Sequence, residues 1–280
     1  MPFLKRQGKP TLHYLLDDYT DPWKNAGTVF LQHGYGRSAQ FWYSWVPYLS
    51  RFYKVVRLDL RGFGQSPVDF DPDTGITLEG HMEDVVALLD HLGLESVHYC
   101  GESFGGILGM VLAATHPRRV RTLSLVASPV NLHRKHLEST AFGYASREEA
   151  LRKMGAKKWA AAMNDLNRFP PGTDPALLEW FASEMGKNNV DVLCAQYRLH
   201  ASASAKDHLP RIEAPVLGLY PTSGPITTDE QEKLLRAGIR NLRLIHLPVK
   251  THAVATLMPA TCAQHVLHFA AQHDGIPCHE

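Results

Sequence analysis

Residues 99–106 read Tyr-Cys-Gly-Glu-Ser-Phe-Gly-Gly and connect an apolar, β-rich run to a small apolar stretch of helical character. Gly101, Ser103 and Gly105 form a G-x-S-x-G pattern within it. A sharp turn from strand to helix strains its central residue, and the residues two before and two after it must be small to clear the neighbouring backbone. The pattern predicts that Ser103 is a nucleophile, rather than an idle serine in a glycine-rich packing turn.

Apolar β-rich runs alternate with helical patterns along most of the chain. We predict strands at residues 28–31, 55–60, 96–100, 123–127, 215–220 and 242–246. We predict helices at residues 82–92, 104–115, 230–237 and 260–272. This alternation is typical of an α/β fold whose mostly parallel, doubly wound sheet is covered by helices on both faces.

Residues 131–210 interrupt this alternation, because they contain helical patterns and no convincing strand. The predicted helices are 147–154, 157–166, 175–185 and 190–199. The segment is too long for one crossover helix, so it predicts a helical insertion between two strands; two surface helices of the main domain are the alternative. The core then comprises residues 1–130 and 211–280.

The composition is ordinary for a soluble globular protein, with 44% hydrophobic and 20% charged residues. Lys and Arg total 29 against 28 Asp and Glu, so nothing favours a nucleic acid or a membrane as partner. Residues 1–10 lack the apolar stretch of a signal peptide, and no apolar run approaches the ~20 residues of a membrane span. Four cysteines without a CxxC pair suit reduced thiols. We expect a cytoplasmic protein without metal or organic cofactor.

Three motifs together resemble the α/β-hydrolase family of esterases, lactonases and carbon–carbon-bond hydrolases. They are His-Gly-Tyr-Gly at residues 33–36, Asp-Leu-Arg-Gly-Phe-Gly-Gln-Ser at residues 59–66, and residues 99–106. The resemblance covers nearly the whole chain and implies a sheet of about eight strands with a helical cap at 131–210. The middle motif is similar to a structural element of the family, and we assign it no catalytic role.

The resemblance also implies an oxyanion hole, which would consist of the backbone N–H groups of Tyr35 and Phe104. Gly34 and Gly36 would let the backbone of this loop approach the substrate. We interpret His33 as a hydrogen-bonded loop residue rather than a catalytic one.

The family order of nucleophile, acid and histidine places the histidine after the last strand. Among the 16 histidines, His252 lies in that loop. It would take the proton from Ser103 and return it to the leaving group. His246 is the nearest competitor, but it falls within the predicted strand.

The acid of the expected triad is not evident. Gly224 stands where the family usually has an Asp after the penultimate strand. A displaced acid, Asp229, could reach His252; a neutral group such as Ser223, Ser128 or Asn131 could orient the imidazole; or the site could work as a Ser–His dyad. Disabling the acid of a related triad lowers turnover about 10⁴-fold, so slow hydrolysis or a noncatalytic role stays open.

Three functions follow from these residues. The first is a serine hydrolase that cleaves a small, largely apolar ester or lactone through an acyl-enzyme on Ser103. The second is a carbon–carbon-bond hydrolase acting on a ketone. The third is a noncatalytic ligand-binding protein that keeps the hydrolase fold. Chemistry of the haloalkane dehalogenase and epoxide hydrolase type is disfavoured, because those relatives carry Asp at the position of Ser103.

Overall fold

The structure, a computed structural model, describes residues 2–132, 138–224 and 226–278, without the side chain of Asn167. Part of the predicted insertion, residues 133–137, and Pro225 beside Gly224 therefore lie outside the described residues.

Eight strands form one sheet in the described part of the chain. They are β1 (Phe3–Arg6), β2 (Lys9–Asp17), β3 (Thr28–Gln32), β4 (Lys54–Leu58), β5 (Val97–Glu102), β6 (Val120–Val126), β7 (Val216–Pro221) and β8 (Leu242–Leu247). Their order is β1-β2-β4-β3-β5-β6-β7-β8. The strand β2 is antiparallel to β1 and β4, and all other neighbours are parallel. The predicted α/β class with a mostly parallel sheet is confirmed.

Burial on both faces explains why the central strands are largely apolar. Every residue of β3, β5 and β7 is buried, as expected of parallel strands between two helical layers. The six predicted strands correspond to β3–β8. The hairpin of β1 and β2 was not predicted, because its residues are mixed in polarity and most are not buried.

Helices cover both faces of the sheet. Before the interruption they are α1 (Val46–Leu49), α2 (Pro72–Gly75), α3 (Leu78–His91) and α4 (Phe104–Thr115). Between β6 and β7 they are α5 (Arg147–Met154), α6 (Ala156–Met163), α7 (Pro175–Gly186) and α8 (Val190–Ser202), with a π-helical turn at Asn164–Arg168. The last are α9 (Asp229–Gly238), α10 (Val254–Leu257) and α11 (Pro259–Asp274).

The helical segment, here residues 138–211, packs on the sheet domain through aromatic side chains. Phe181 of α7 is fully buried, and its ring lies 4.9 Å from that of Phe41 and 5.0 Å from that of Phe169. The helices predicted in this region match α5–α8 to within a few residues. No other strand of the sheet lies between β6 and β7 in these described residues.

None of the helices in the described ranges has the length and apolar character needed to cross a bilayer. The same residues contain no cluster of three or more His, Cys, Asp or Glu side chains suited to a metal ion. The cysteines are free thiols, and Cys100, Cys194 and Cys262 are buried.

Candidate active site

Ser103 occupies the turn between β5 and α4. Its backbone has φ 54° and ψ −119°, a conformation that strains any residue with a side chain. The turn is held by the Ser103 N–H, which donates to the Val126 carbonyl at 3.0 Å, and by the Gly106 N–H, which donates to the Ser103 carbonyl at 3.0 Å. Ser103 is only 6% exposed, but it lines a cavity between the sheet and the helical segment.

Glycine is required on both sides of this serine. A Cβ atom on Gly101 would collide with the backbone of Gly105, and a Cβ on Gly105 would collide with the carbonyl of Gln32. A Cβ on Gly34 would lie 2.9 Å from both the Glu102 carbonyl oxygen and the Ser103 Cβ. The loop that carries Gly34 is thus pressed directly against the nucleophile turn.

His252 reaches Ser103 from the loop between β8 and α10. Its Nε2 lies 3.0 Å from the Ser103 Oγ, and the residue is buried. This is hydrogen-bonding distance for a base that abstracts a hydroxyl proton. His246, by contrast, lies in β8 with its Nε2 2.7 Å from Glu232 Oε2 near the surface. The structure brings Ser103 and His252 together and keeps His246 apart.

The two amides predicted to form the oxyanion hole flank the same turn. The N–H of Phe104 is at the first position of α4, where no intrahelical acceptor exists. Neither this amide nor that of Tyr35 donates a hydrogen bond to another described group. The helix N-terminus favours negative charge here, so the arrangement is suited to stabilise an oxyanion. Gly36, with φ 72°, lets the loop turn after Tyr35.

His33 holds this loop in place. Its Nδ1 donates to the Gly34 carbonyl at 2.8 Å, and the Leu60 N–H donates to its Nε2 at 3.0 Å. Burial lowers the pKa of His33, which keeps the ring neutral in the tautomer that these two bonds require. Both ring nitrogens are engaged with the backbone, as expected of a structural histidine.

The predicted partners of His252 are engaged or exposed elsewhere. Asp229 is exposed at the first position of α9, and no hydrogen bond between described residues joins it to His252. The Ser128 Oγ donates to the Gly101 carbonyl at 3.1 Å, and the Asn131 Oδ1 accepts from Gln231 Nε2 at 2.9 Å. Ser223 is exposed. The role of Asp229 stays a prediction.

The cavity at Ser103 is small, about 40 Å³. It has two walls. The sheet wall consists of Tyr35, Arg37, Ser103 and His252. The helical wall consists of Arg147, Trp159, Met163, Arg168 and His200. Leu132 and Ile226 complete the lining. A cavity of this size holds only a few water-sized groups.

Sequence reasoning missed the three arginines of this cavity. Arg37, Arg147 and Arg168 are each at least 92% buried. Arg37 forms a buried ion pair with Glu102. Burial raises the pKa of Glu102, and the charges of Arg37 and Arg168 oppose that effect. Arg147 and Arg168 form no ion pair with a described carboxylate.

Only a weak signal in the sequence marks one of these arginines. Arg147 is the first residue of α5, after the N-cap Ser146, where a cation is unfavourable to the helix dipole. Arg168, at the end of the π-helical turn, has no comparable signal. Their burial depends on the packing of the helical segment against the sheet, which residue patterns do not reveal.

Comparison with known proteins agrees with this geometry. The family model of the alpha/beta hydrolase fold matches residues 27–185, more than half of the chain. The chain is 25% identical to 3-oxoadipate enol-lactonase 2 of Acinetobacter baylyi over 71% of this chain and 72% of that protein. It is 28% identical to a protein of Stutzerimonas stutzeri named as a carbamate hydrolase, RutD, over 55% of each chain.

A solved structure shows the same fold along almost the whole chain. The enol-lactonase from Burkholderia xenovorans LB400 superposes with a TM-score of 0.83 and 24% identity, covering 96% of this chain and 100% of that one. The family model, the strand order and the nucleophile turn agree with one another. The chain therefore belongs to the α/β-hydrolase fold family and is an α/β-hydrolase.

Proposed function

We propose that this α/β-hydrolase is a serine hydrolase that cleaves a small carboxylic ester or lactone through an acyl-enzyme on Ser103. The observation that carries the proposal is the 3.0 Å separation of Ser103 Oγ and His252 Nε2 at a strained turn. A packing serine would need neither the strain nor a buried imidazole beside it.

In the proposed reaction, the Ser103 oxygen attacks the carbonyl carbon while His252 takes the hydroxyl proton. The amides of Tyr35 and Phe104 donate hydrogen bonds to the carbonyl oxygen as it gains negative charge. Collapse of the tetrahedral intermediate breaks the bond to the leaving oxygen, which receives the proton from His252. Water, deprotonated by His252, then attacks the acyl carbon, and Ser103 leaves as the free hydroxyl.

The helical segment serves, in this proposal, as a cap over the reaction site. Its side chains form one whole wall of the cavity that contains Ser103 and His252. The enclosed space limits the substrate to a small molecule, or requires the side chains of the helical wall to move when a substrate binds. Exclusion of bulk water strengthens the hydrogen bonds offered to the oxyanion.

The names of relatives favour substrates whose carbonyl carbon is bonded to a heteroatom. One is named for an enol-lactone and another for a carbamate, and both substrates join a carbonyl carbon to a heteroatom leaving group. Cleavage of a carbon–carbon bond would use the same serine and histidine, but no contact in the described residues favours it.

Labelling with a fluorophosphonate tests the proposal, because the probe reacts with activated serines irrespective of their natural substrate. We expect one adduct, on the peptide that contains Ser103, and its loss in His252→Ala. The matched control is His246→Ala, which removes an exposed histidine of β8 and should label normally. A folded wild-type protein that stays unlabelled would contradict the proposal and favour the noncatalytic ligand-binding alternative.

A further inference from the structure

We infer that the natural substrate carries a carboxylate, which Arg147 and Arg168 bind beside Ser103. The inference rests on the proposed function, because it names the substrate class of the same site. Both arginines line the same cavity as Ser103 and His252. A ligand that fills this cavity would therefore contact the nucleophile and also the arginine side chains.

The charges around the cavity do not balance. Three arginines line it, and no carboxylate belongs to its described lining. The nearby acid Glu102 pairs with Arg37 and attracts Arg168 only at longer range. Burying a cation without a close counter-ion is costly. A bound anion would supply the missing negative charge.

Arg147 is held by aromatic rings rather than by an acid. Its guanidinium carbon lies 4.5 Å from the ring centre of Tyr197, 5.5 Å from that of Tyr35 and 5.4 Å from that of Trp159. Its Nε donates to Thr140 Oγ1 at 2.6 Å. The rings and this bond fix the plane of the guanidinium. Arg147 also has a side-chain hydrogen bond with Tyr35, so its polar partners in the described residues are neutral oxygens and not a carboxylate.

Arg168 has an even weaker set of polar contacts. Its Nη1 donates to the thioether sulfur of Met185 at 3.0 Å, a poor acceptor. Its guanidinium carbon lies 5.1 Å from the ring centre of Phe181. Burial, aided by the nearby Arg37, lowers the pKa of Arg168 to about 9. The group is still protonated at neutral pH, so it remains a cation for an anion to bind.

A carboxylate fits this pair better than a larger anion. Guanidinium and carboxylate are both planar and form two parallel hydrogen bonds. The cavity is about 40 Å³, which favours a compact group. The structure thus assigns as substrate a half-ester of a short dicarboxylic acid, or a lactone with a carboxylate on a short chain. Such a substrate is more polar than the largely apolar one expected from the sequence.

Two matched esters test this inference. Monophenyl glutarate carries a free carboxylate, and phenyl valerate has an acyl chain of the same length without it. We expect the wild-type enzyme to favour the glutarate in kcat/KM by about 30-fold or more, the size of a buried charge interaction. Arg147→Gln and Arg168→Gln should each lower this ratio at least about 10-fold, and Arg147→Lys should restore part of it.

The matched control is Arg152→Gln. Arg152 lies in α5 like Arg147, but it is exposed and pairs with Asp191. Its substitution should leave the ratio unchanged. A structural role of Arg147 alone would lower both rates together and keep the ratio, and that result would overturn the inference. Thermal unfolding of each variant shows whether it is folded.

The outcome separates this inference from the proposed function. Fluorophosphonate labelling of Ser103 combined with no preference for the glutarate would overturn the inference and leave the serine hydrolase intact. If Ser103 is not labelled, binding of monophenyl glutarate and phenyl valerate is compared by calorimetry. Tighter binding of the glutarate, lost in Arg147→Gln, would then support the carboxylate site without the hydrolase.

Discussion

The two walls of the cavity use the same residue type in opposite ways. On the sheet wall, Arg37 is neutralised by the buried Glu102. On the helical wall, Arg147 and Arg168 are buried without an ion pair to a described carboxylate. The arginine of the sheet wall therefore has a carboxylate partner, and the same wall contains Ser103 and His252.

This difference assigns the proposed reaction to the sheet wall and the proposed recognition of substrate to the helical wall. The groups that would carry out acyl transfer are positioned by strand ends and a helix start, whose geometry the parallel sheet fixes. The groups that would select the substrate belong to helices that lie between β6 and β7 in the chain. Substitutions in the two walls should therefore affect activity and stability differently.

The largest effect is expected on the sheet wall. Ser103→Ala and His252→Ala should each lower kcat/KM for an ester by at least about 10⁴-fold, because each removes a member of one catalytic unit. Ester hydrolysis and thermal unfolding measure activity and folding separately. Ser202→Ala, at an exposed serine, is the control and should keep full activity. Retention of activity in Ser103→Ala would place the chemistry elsewhere.

Loss of the Phe181 ring should loosen the helical wall. Phe181 is fully buried between Phe41 and Phe169, and Arg168 lies over its ring. Phe181→Ala is expected to lower the free energy of unfolding by about 3–5 kcal/mol. Urea denaturation measures this change. Trp23→Ala, at a side chain that is 80% exposed, should change it by less than about 0.5 kcal/mol. An equal loss of unfolding free energy in the two variants would contradict the burial of the Phe181 ring.

A methyl group at Gly105 should strain the sheet wall. Alanine is the better helix former by about 1 kcal/mol, but its Cβ would meet the carbonyls of Gln32 and His33, which cannot rotate away. We expect Gly105→Ala to lower the free energy of unfolding by about 1–3 kcal/mol in urea denaturation. Gly224→Ala is the control, because the nearest described atoms lie 3.7 and 3.9 Å from its added Cβ. A stabilised Gly105→Ala would contradict the steric account.

The smallest effect is expected for Asp229→Asn. Asp229 is exposed at the start of α9 and has no described hydrogen bond to His252. Its substitution should change kcat/KM for an ester by less than about 5-fold, the size of an exposed charge effect. A loss near the ~10⁴-fold of a disabled triad acid would instead establish Asp229 as the third member.

The sheet side of the molecule could be predicted because its strands and the turn at Ser103 are determined by residues close together in the sequence. Buried parallel strands are largely apolar, so they can be recognised from a short stretch of sequence. The turn at Ser103 requires small residues at the positions two before and two after it, and the sequence has glycine at both. The bounds of α4 were predicted without error for the same reason. The hairpin of β1 and β2 was missed, because its residues are mixed in polarity and leave no comparable apolar run.

The helical wall could not be predicted in the same way. Its helices were found from their amphipathic pattern, but an arginine in such a pattern is usually solvent-exposed. The burial of Arg147 and Arg168 arises from tertiary packing between residues far apart in the chain, such as Arg147 with Tyr35. The partner of the His252 imidazole could not be predicted either, because it depends on which side chain lies near the ring in the folded protein and not on its distance along the sequence.

Trapping of the covalent intermediate tests the central claim most directly. The enzyme is mixed with monophenyl glutarate, quenched in acid within milliseconds, digested, and its peptides are weighed. We expect the peptide that contains Ser103 to gain the mass of the glutaryl group, and the gain to be absent in Ser103→Ala. Turnover of the ester with no acyl group on Ser103, or with the acyl group on another residue, would contradict the account.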